Sequence, residues 1–87
     1  MFVIMVYDVG VKRVAKVLKI SRKYLFWVQN SVLEGEITEA NFRRLKSEIA
    51  KVINTDEDSV LFYILGNAKY TKRELMGIKK GGEDWIL

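Results

Sequence analysis

Two rhythms of apolar and polar positions run along the chain. Phe2 to Tyr7 is an unbroken apolar run, rich in β-branched and aromatic residues and closed by Asp8-Val9-Gly10. That is the pattern of a strand buried on both faces. From Val11 the period becomes helical. Val11, Val14, Ala15 and Leu18 stand at i, i+3, i+4 and i+7, predicting a helix to about Lys23. Lys12, Lys16, Lys19 and Lys23 form a second stripe on it, flanked by Arg13 and Arg22. Leu25 to Val28 and Ser31 to Glu36 read as short strands around a Gln29-Asn30 turn. Thr38 reads as an N-cap with Glu39 in the first turn. Phe42, Leu45, Ile49 and Val52 then carry a second helix from about Glu39 to Ile53, which the polar stretch from Asn54 to Asp58 breaks. Ser59 to Leu65 is a further apolar strand, stopped at Gly66-Asn67, and Lys72 to Ile78 reads as one strand more.

The order strand, helix, strand, strand, helix, strand predicts an α+β fold. With right-handed crossovers it is a split βαβ sandwich, an antiparallel sheet with both helices on one face and the first strand central. Two strands apolar on both faces need cover on the helix-free side, and a homodimer packed sheet against sheet supplies it. One domain, 1–78, is expected, followed by a tail, 79–87. The Trp85-Ile86-Leu87 ending predicts that this tail docks, either on the dimer or on its own domain.

Composition narrows the chemistry. The 87 residues include no Cys, His or Pro. This excludes a disulfide scaffold, a Cys/His zinc site, a thiol nucleophile and a Ser-His dyad. Carboxylates, Lys, Tyr, Ser or a metal on oxygen ligands remain. No apolar run approaches the ~20 residues of a membrane span, and the run Phe2 to Tyr7 lacks the basic n-region and small-residue cleavage site of a signal peptide, so a soluble cytoplasmic protein without membrane contact is expected.

Asp8, at the end of the first strand, has two readings: a helix cap or Asx-turn, or a ligand for a hard cation. One carboxylate is a weak site, but a two-fold axis near it brings two together. The pair then holds a single Mg²⁺ or Mn²⁺ with help from phosphate oxygens. Tyr7 and Ser31 are candidate supporting polar groups. Between Val9 and Lys23 there are six cations and no acid. Either they form a plain solvated face, or Lys12, Arg13, Lys16 and Lys19 neutralise a nucleic-acid backbone. Tyr24, Phe26 and Trp27 are able to stack on bases, although their place in a strand favours core or interface packing.

Val6-Tyr7-Asp8-Val9, Lys12-Arg13-Val14, the hairpin Trp27 to Gly35 and the closing strand Ser59 to Tyr63 together resemble the CRISPR-associated protein Cas-two family over nearly the whole chain. The resemblance implies a ferredoxin-like βαββαβ sandwich with an extra C-terminal strand that crosses to the partner, in a face-to-face homodimer. It implies a subunit of CRISPR adaptation (spacer acquisition) that bridges CRISPR integrase dimers and braces a DNA duplex. It also implies a Mg²⁺-dependent endonuclease acting on single-stranded RNA or on DNA. Asp8 of both protomers then binds the metal and is catalytic, and Arg13 contacts nucleic acid. The chain departs from the family pattern at Val11 and Trp27, where some members carry arginine, and at Leu33, where an aromatic stands. These departures weigh against cleavage more than against duplex binding. A non-catalytic architectural bridge, a toxin-type ribonuclease of the same fold and a ligand-binding regulatory module remain the competing readings.

Overall fold

The apolar run that opens the chain becomes the middle of a sheet. The computed structural model describes residues 1–66 and 69–80. Seven elements follow in order: β1 Phe2–Asp8, α1 Val11–Ser21, β2 Phe26–Gln29, β3 Val32–Glu36, α2 Glu39–Ala50, β4 Ser59–Gly66 and β5 Lys69–Gly77. The sheet order is β2-β3-β1-β4-β5, every neighbouring pair antiparallel. This is the expected α+β sandwich with its additional strand. β5 begins three residues earlier than the apolar pattern marked, because backbone pairing with β4 holds Lys69 opposite Gly66 whatever the side chains are. Both helices end two or three residues short of the limits their patterns predict, α1 at Ser21 against Lys23 and α2 at Ala50 against Ile53, with turns after them. Residues 81–87, most of the expected docking tail, lie outside the described residues.

Alternation along the strands sorts the side chains. Val3, Met5 and Tyr7 of β1 join Leu33, Val60, Phe62 and Ile64 under Val17 of α1 and Phe42, Leu45 and Ile49 of α2. That single cluster places both helices on one face. Phe42 and Phe62 meet edge to face at 5.0 Å between ring centroids, an arrangement favoured by ring quadrupoles. Phe2, Ile4 and Val6 point to the other side, where the register sets them beside Leu65, Tyr63 and Leu61 of β4. Leu61 in turn lies opposite Leu75 of β5. The helix-free face is therefore apolar along its two central strands.

Ion pairs tie the helices together and to the sheet edge. Glu48 of α2 accepts from Lys23 and from the Tyr24 hydroxyl, joining α2 to the end of α1. Lys46 of α2 reaches Glu74 of β5 at 2.8 Å. Thr38 caps α2 as its sequence predicts, its hydroxyl accepting from the Asn41 amide at 3.1 Å. No helix among the described residues is long and apolar enough to cross a membrane.

Leu45 has no exposed surface, so Leu45→Ala loses its transfer energy and leaves a cavity. The expected loss is about 2–5 kcal/mol in urea unfolding followed by circular dichroism.

Candidate functional site

Asp8 ends β1 on the same side of the sheet as Phe2, Ile4 and Val6, since strand residues two apart share a face. Its carboxylate closes the apolar face at one end and is 72% exposed. It does not cap the following helix. The N-cap of α1 is Gly10, with no side-chain bond to it, so the capping reading of Asp8 is set aside. Instead the ammonium of Lys80 sits beside it, 3.5 Å from Oδ2, and donates to the Asp8 carbonyl at 3.2 Å. The chain reaches this point through Gly77, whose φ is +88°. A Cβ there would stand 2.0 Å from the Asp58 carbonyl oxygen, so only glycine makes the turn. The Ile78 amide then bonds to that same carbonyl at 2.9 Å.

Asp58 is the functional-end residue that periodicity missed. It lies just before β4, has no exposed surface, and spends its carboxylate on four donors. Oδ1 accepts from the Gly10 amide and Arg13 Nη2, both at 2.9 Å. Oδ2 accepts from Arg13 Nε at 2.6 Å and from the Asn54 amide at 2.8 Å. The Arg13 hydrogen bonds, with those from Asn54 and Gly10, hold the Asp58 carboxyl well below the usual carboxylate range against the opposing push of burial. The first turn of α1 contains no acid of its own. Asp58 and Glu57 supply the negative charge that the positive end of the helix dipole favours. The sequence signal for this was an Arg in a cation-rich first turn and an acid abutting a fully apolar strand.

That clasp already occupies much of Arg13. Its guanidinium was expected on a phosphate, but Nε and Nη2 are committed to Asp58 and Glu57. Arg13 holds the corner beneath Asp8. Lys12, Lys16 and Lys19 are exposed along α1, and no carboxylate among the described residues pairs with them. Three of the four expected backbone-binding residues are thus free for an external anion. At about 1.5 Å rise per residue, Lys12 to Lys19 spans roughly 10 Å, the reach of two neighbouring phosphates.

Tyr7 is buried on the helix side, its hydroxyl 3.5 Å from the Asn30 carbonyl, and burial raises its pKa. The Tyr7 amide donates to the Ser31 carbonyl at 3.1 Å. Both therefore lie at the Asp8 end of the sheet, with Tyr7 turned to the opposite face. The aromatics part company. Tyr24 is half-buried against Glu48, whereas Phe26 and Trp27 are 79% and 48% exposed.

The chemistry of this end suits a hard divalent cation only in part. Among the described residues no three acidic side chains converge into a cage. Asp8 offers an accessible oxygen ligand that already attracts a positive group, and Mg²⁺ is content with one or two carboxylates plus waters and phosphates.

Comparisons with known proteins agree with this architecture. Residues 1–73 match the family described as CRISPR associated protein Cas2. The chain is 59% identical over 87 residues to a CRISPR-associated endoribonuclease Cas2 of Dictyoglomus turgidum, covering 100% of both. It is 54% identical to one of Thermotoga maritima, again over 100% of both. A solved structure described as a crystal structure of cas2 aligns with TM-score 0.75 and 39% identity, over 100% of this chain and 98% of that one. Streptococcus pyogenes Cas2, solved at pH 6.5, aligns with TM-score 0.71 and 36% identity, over 78% of this chain and 89% of that one.

The lowered Asp58 pKa makes the corner sensitive to acid. Its contribution to stability is complete above the ordinary unfolded carboxylate pKa of about 4 and is lost as pH falls toward the native value. Asp58→Asn is expected to melt well below wild type at pH 7. The gap narrows progressively as both are acidified below about pH 4, followed by thermal circular dichroism.

Proposed function

The chain belongs to the CRISPR-associated Cas2 family, and from that premise we propose that it is a homodimeric nucleic-acid-binding endonuclease. Asp8 of both protomers holds one Mg²⁺ or Mn²⁺ ion. The observation that carries this reading is the position of Asp8 at the end of an apolar, helix-free face. A second copy seated on Phe2, Ile4, Val6 and Tyr63 brings its own Asp8 toward the same end, completing what one chain leaves half built. The bound cation would lower the pKa of a coordinated water and polarise a phosphodiester.

The chain's own groups divide the remaining work. Lys12, Lys16 and Lys19 neutralise the backbone on the outer face of α1. Asp58 and Arg13 hold the turn between β1 and α1, and so the direction in which Asp8 points. Lys80 is the resident counter-charge of Asp8 and has to give way for a divalent ion. The names of the relatives, endoribonucleases, favour single-stranded RNA as the cleaved substrate. The same dimer, working in spacer acquisition, would bridge integrase dimers and brace duplex DNA through the α1 strip.

One observation supports the non-catalytic bridge as a second reading: the Lys80 ammonium already satisfies Asp8 in the single chain. Cleavage of single-stranded RNA and duplex DNA, with and without Mg²⁺, separates the two. Wild type is expected to cleave only with Mg²⁺, and Asp8→Asn to fall to background. Equal rates for both proteins, or no cleavage by either, remove the nuclease and leave the bridge.

Binding has its own signature. Replacing Lys12, Lys16 and Lys19 with Gln should lower the slope of log affinity against log salt by roughly 2–3 per protomer engaged. Titrations at several salt concentrations read this directly.

A further inference from the structure

β2 is an edge strand whose four residues, Phe26–Gln29, are all exposed. Its two aromatics point to opposite sides. Phe26 pairs with Glu34, in the row that continues to Ile4 and Tyr63 on the helix-free face. Trp27 pairs with Leu33, which is fully buried on the helix side. Trp27 therefore lies off the face that a second copy covers, yet it keeps 48% of its surface exposed.

The ring is held in place. Its Nε1–H donates to the Asn30 carbonyl at 2.9 Å, from a turn in which Asn30 adopts φ +41°. Its polar edge is thus satisfied within the hairpin, and the surface left to solvent is apolar and π-rich. The Arg22 guanidinium carbon lies 5.5 Å from the ring centroid, within cation–π range. Arg22 also lines a shallow concavity of about 480 Å³ on the outer side of α1, with Ala15, Leu18, Lys19 and Lys23. Lys23 is paired with Glu48. Lys19 and Arg22 have no carboxylate partner among the described residues. An indole, a planar cation, an apolar floor and an ammonium thus form one continuous surface at the end of the lysine strip.

We propose that Trp27 and Arg22 form a stacking subsite for an unpaired base of a single-stranded nucleic acid, with Lys19 taking an adjacent phosphate. Two physical features select this occupant. The unpaired cations ask for an anionic partner, and a flat aromatic surface beside them asks for a flat ring. A base in duplex has both faces covered by its neighbours, so only an unpaired strand uses the indole. The inference rests on the nucleic-acid reading above and deepens it. The lysines of α1 hold backbone regardless of strandedness, and Trp27 with Arg22 adds the preference for single strands.

The test is fluorescence anisotropy of a labelled 12-nucleotide single-stranded RNA and of a duplex of the same length, without metal so that nothing is cut. Trp27→Ala is expected to weaken single-strand binding by about 5- to 100-fold, and to change duplex binding by less than about twofold. Trp27→Phe should recover most of the loss. In a Trp85→Phe background, emission from Trp27 should be quenched by the single strand and not by the duplex. Unchanged single-strand affinity in Trp27→Ala overturns the subsite while the nucleic-acid reading stands. Equal losses on both ligands, with a fall in mass by sedimentation, assign Trp27 to packing between copies and also overturn it. A wild-type chain that binds neither ligand overturns both readings.

Discussion

A single buried carboxylate organises the functional end of this molecule. Asp58 gathers the turn after β1, the first turn of α1 and the loop after α2. Its own carbonyl receives the chain as it leaves β5. A buried charge is costly unless it is paired and fully hydrogen-bonded, and Asp58 meets that condition with four donors. The corner is therefore fixed in all its parts or in none. Asp8 extends from it, and the reach of Lys80 to Asp8 depends on the glycine turn that the Asp58 carbonyl crowds.

The cations sort into two populations with different work. Arg13 and Lys46 are paired with Asp58 and Glu74 and bind secondary elements to one another. Lys12, Lys16, Lys19 and Arg22 stand on the outer surface of α1 without such partners. A net charge of +4 conceals this division, because the inward-facing pairs cancel and the outward strip does not. Affinity for a polyanion follows the strip, since only cations free to replace condensed counterions contribute. The apolar face lies on the opposite side of the sheet from the helices, so a copy seated there leaves the strip of each chain open to solvent.

Much of this architecture was legible in the residues. The continuous apolar runs of β1 and β4 and the helical spacing of Val14 and Leu18, or of Phe42, Leu45 and Ile49, each answer to local geometry. So does the Thr38 cap. What escaped were relations across the chain. Arg13 and Asp58 are 45 positions apart and Asp8 and Lys80 are 72 apart, and no periodicity couples such pairs. Asp58 sat inside a polar stretch that reads as a helix stop, and nothing local marks which of its acids turns inward. The exposure of Trp27, named above as able to stack on bases, escaped for another reason. Strand propensity predicts packing within a pleated sheet, but an edge strand has a neighbour on one side only, and all four residues of β2 are exposed.

The sheet order has a consequence for how the molecule comes into being. β1 is the first strand to be synthesised, yet it lies between β3 and β4. Its second edge stays unpaired until residue 66 has been added. At about 5–20 residues per second, that leaves a six-residue apolar segment waiting roughly 3–12 s for its last neighbour. Long-range pairing of this kind slows folding because the loop must close before contacts reward it. The hairpin of β2 and β3 becomes available much earlier and shields one edge of β1 in the interval. The hairpin therefore protects the nascent chain through β3 before its exposed outer strand serves the finished one.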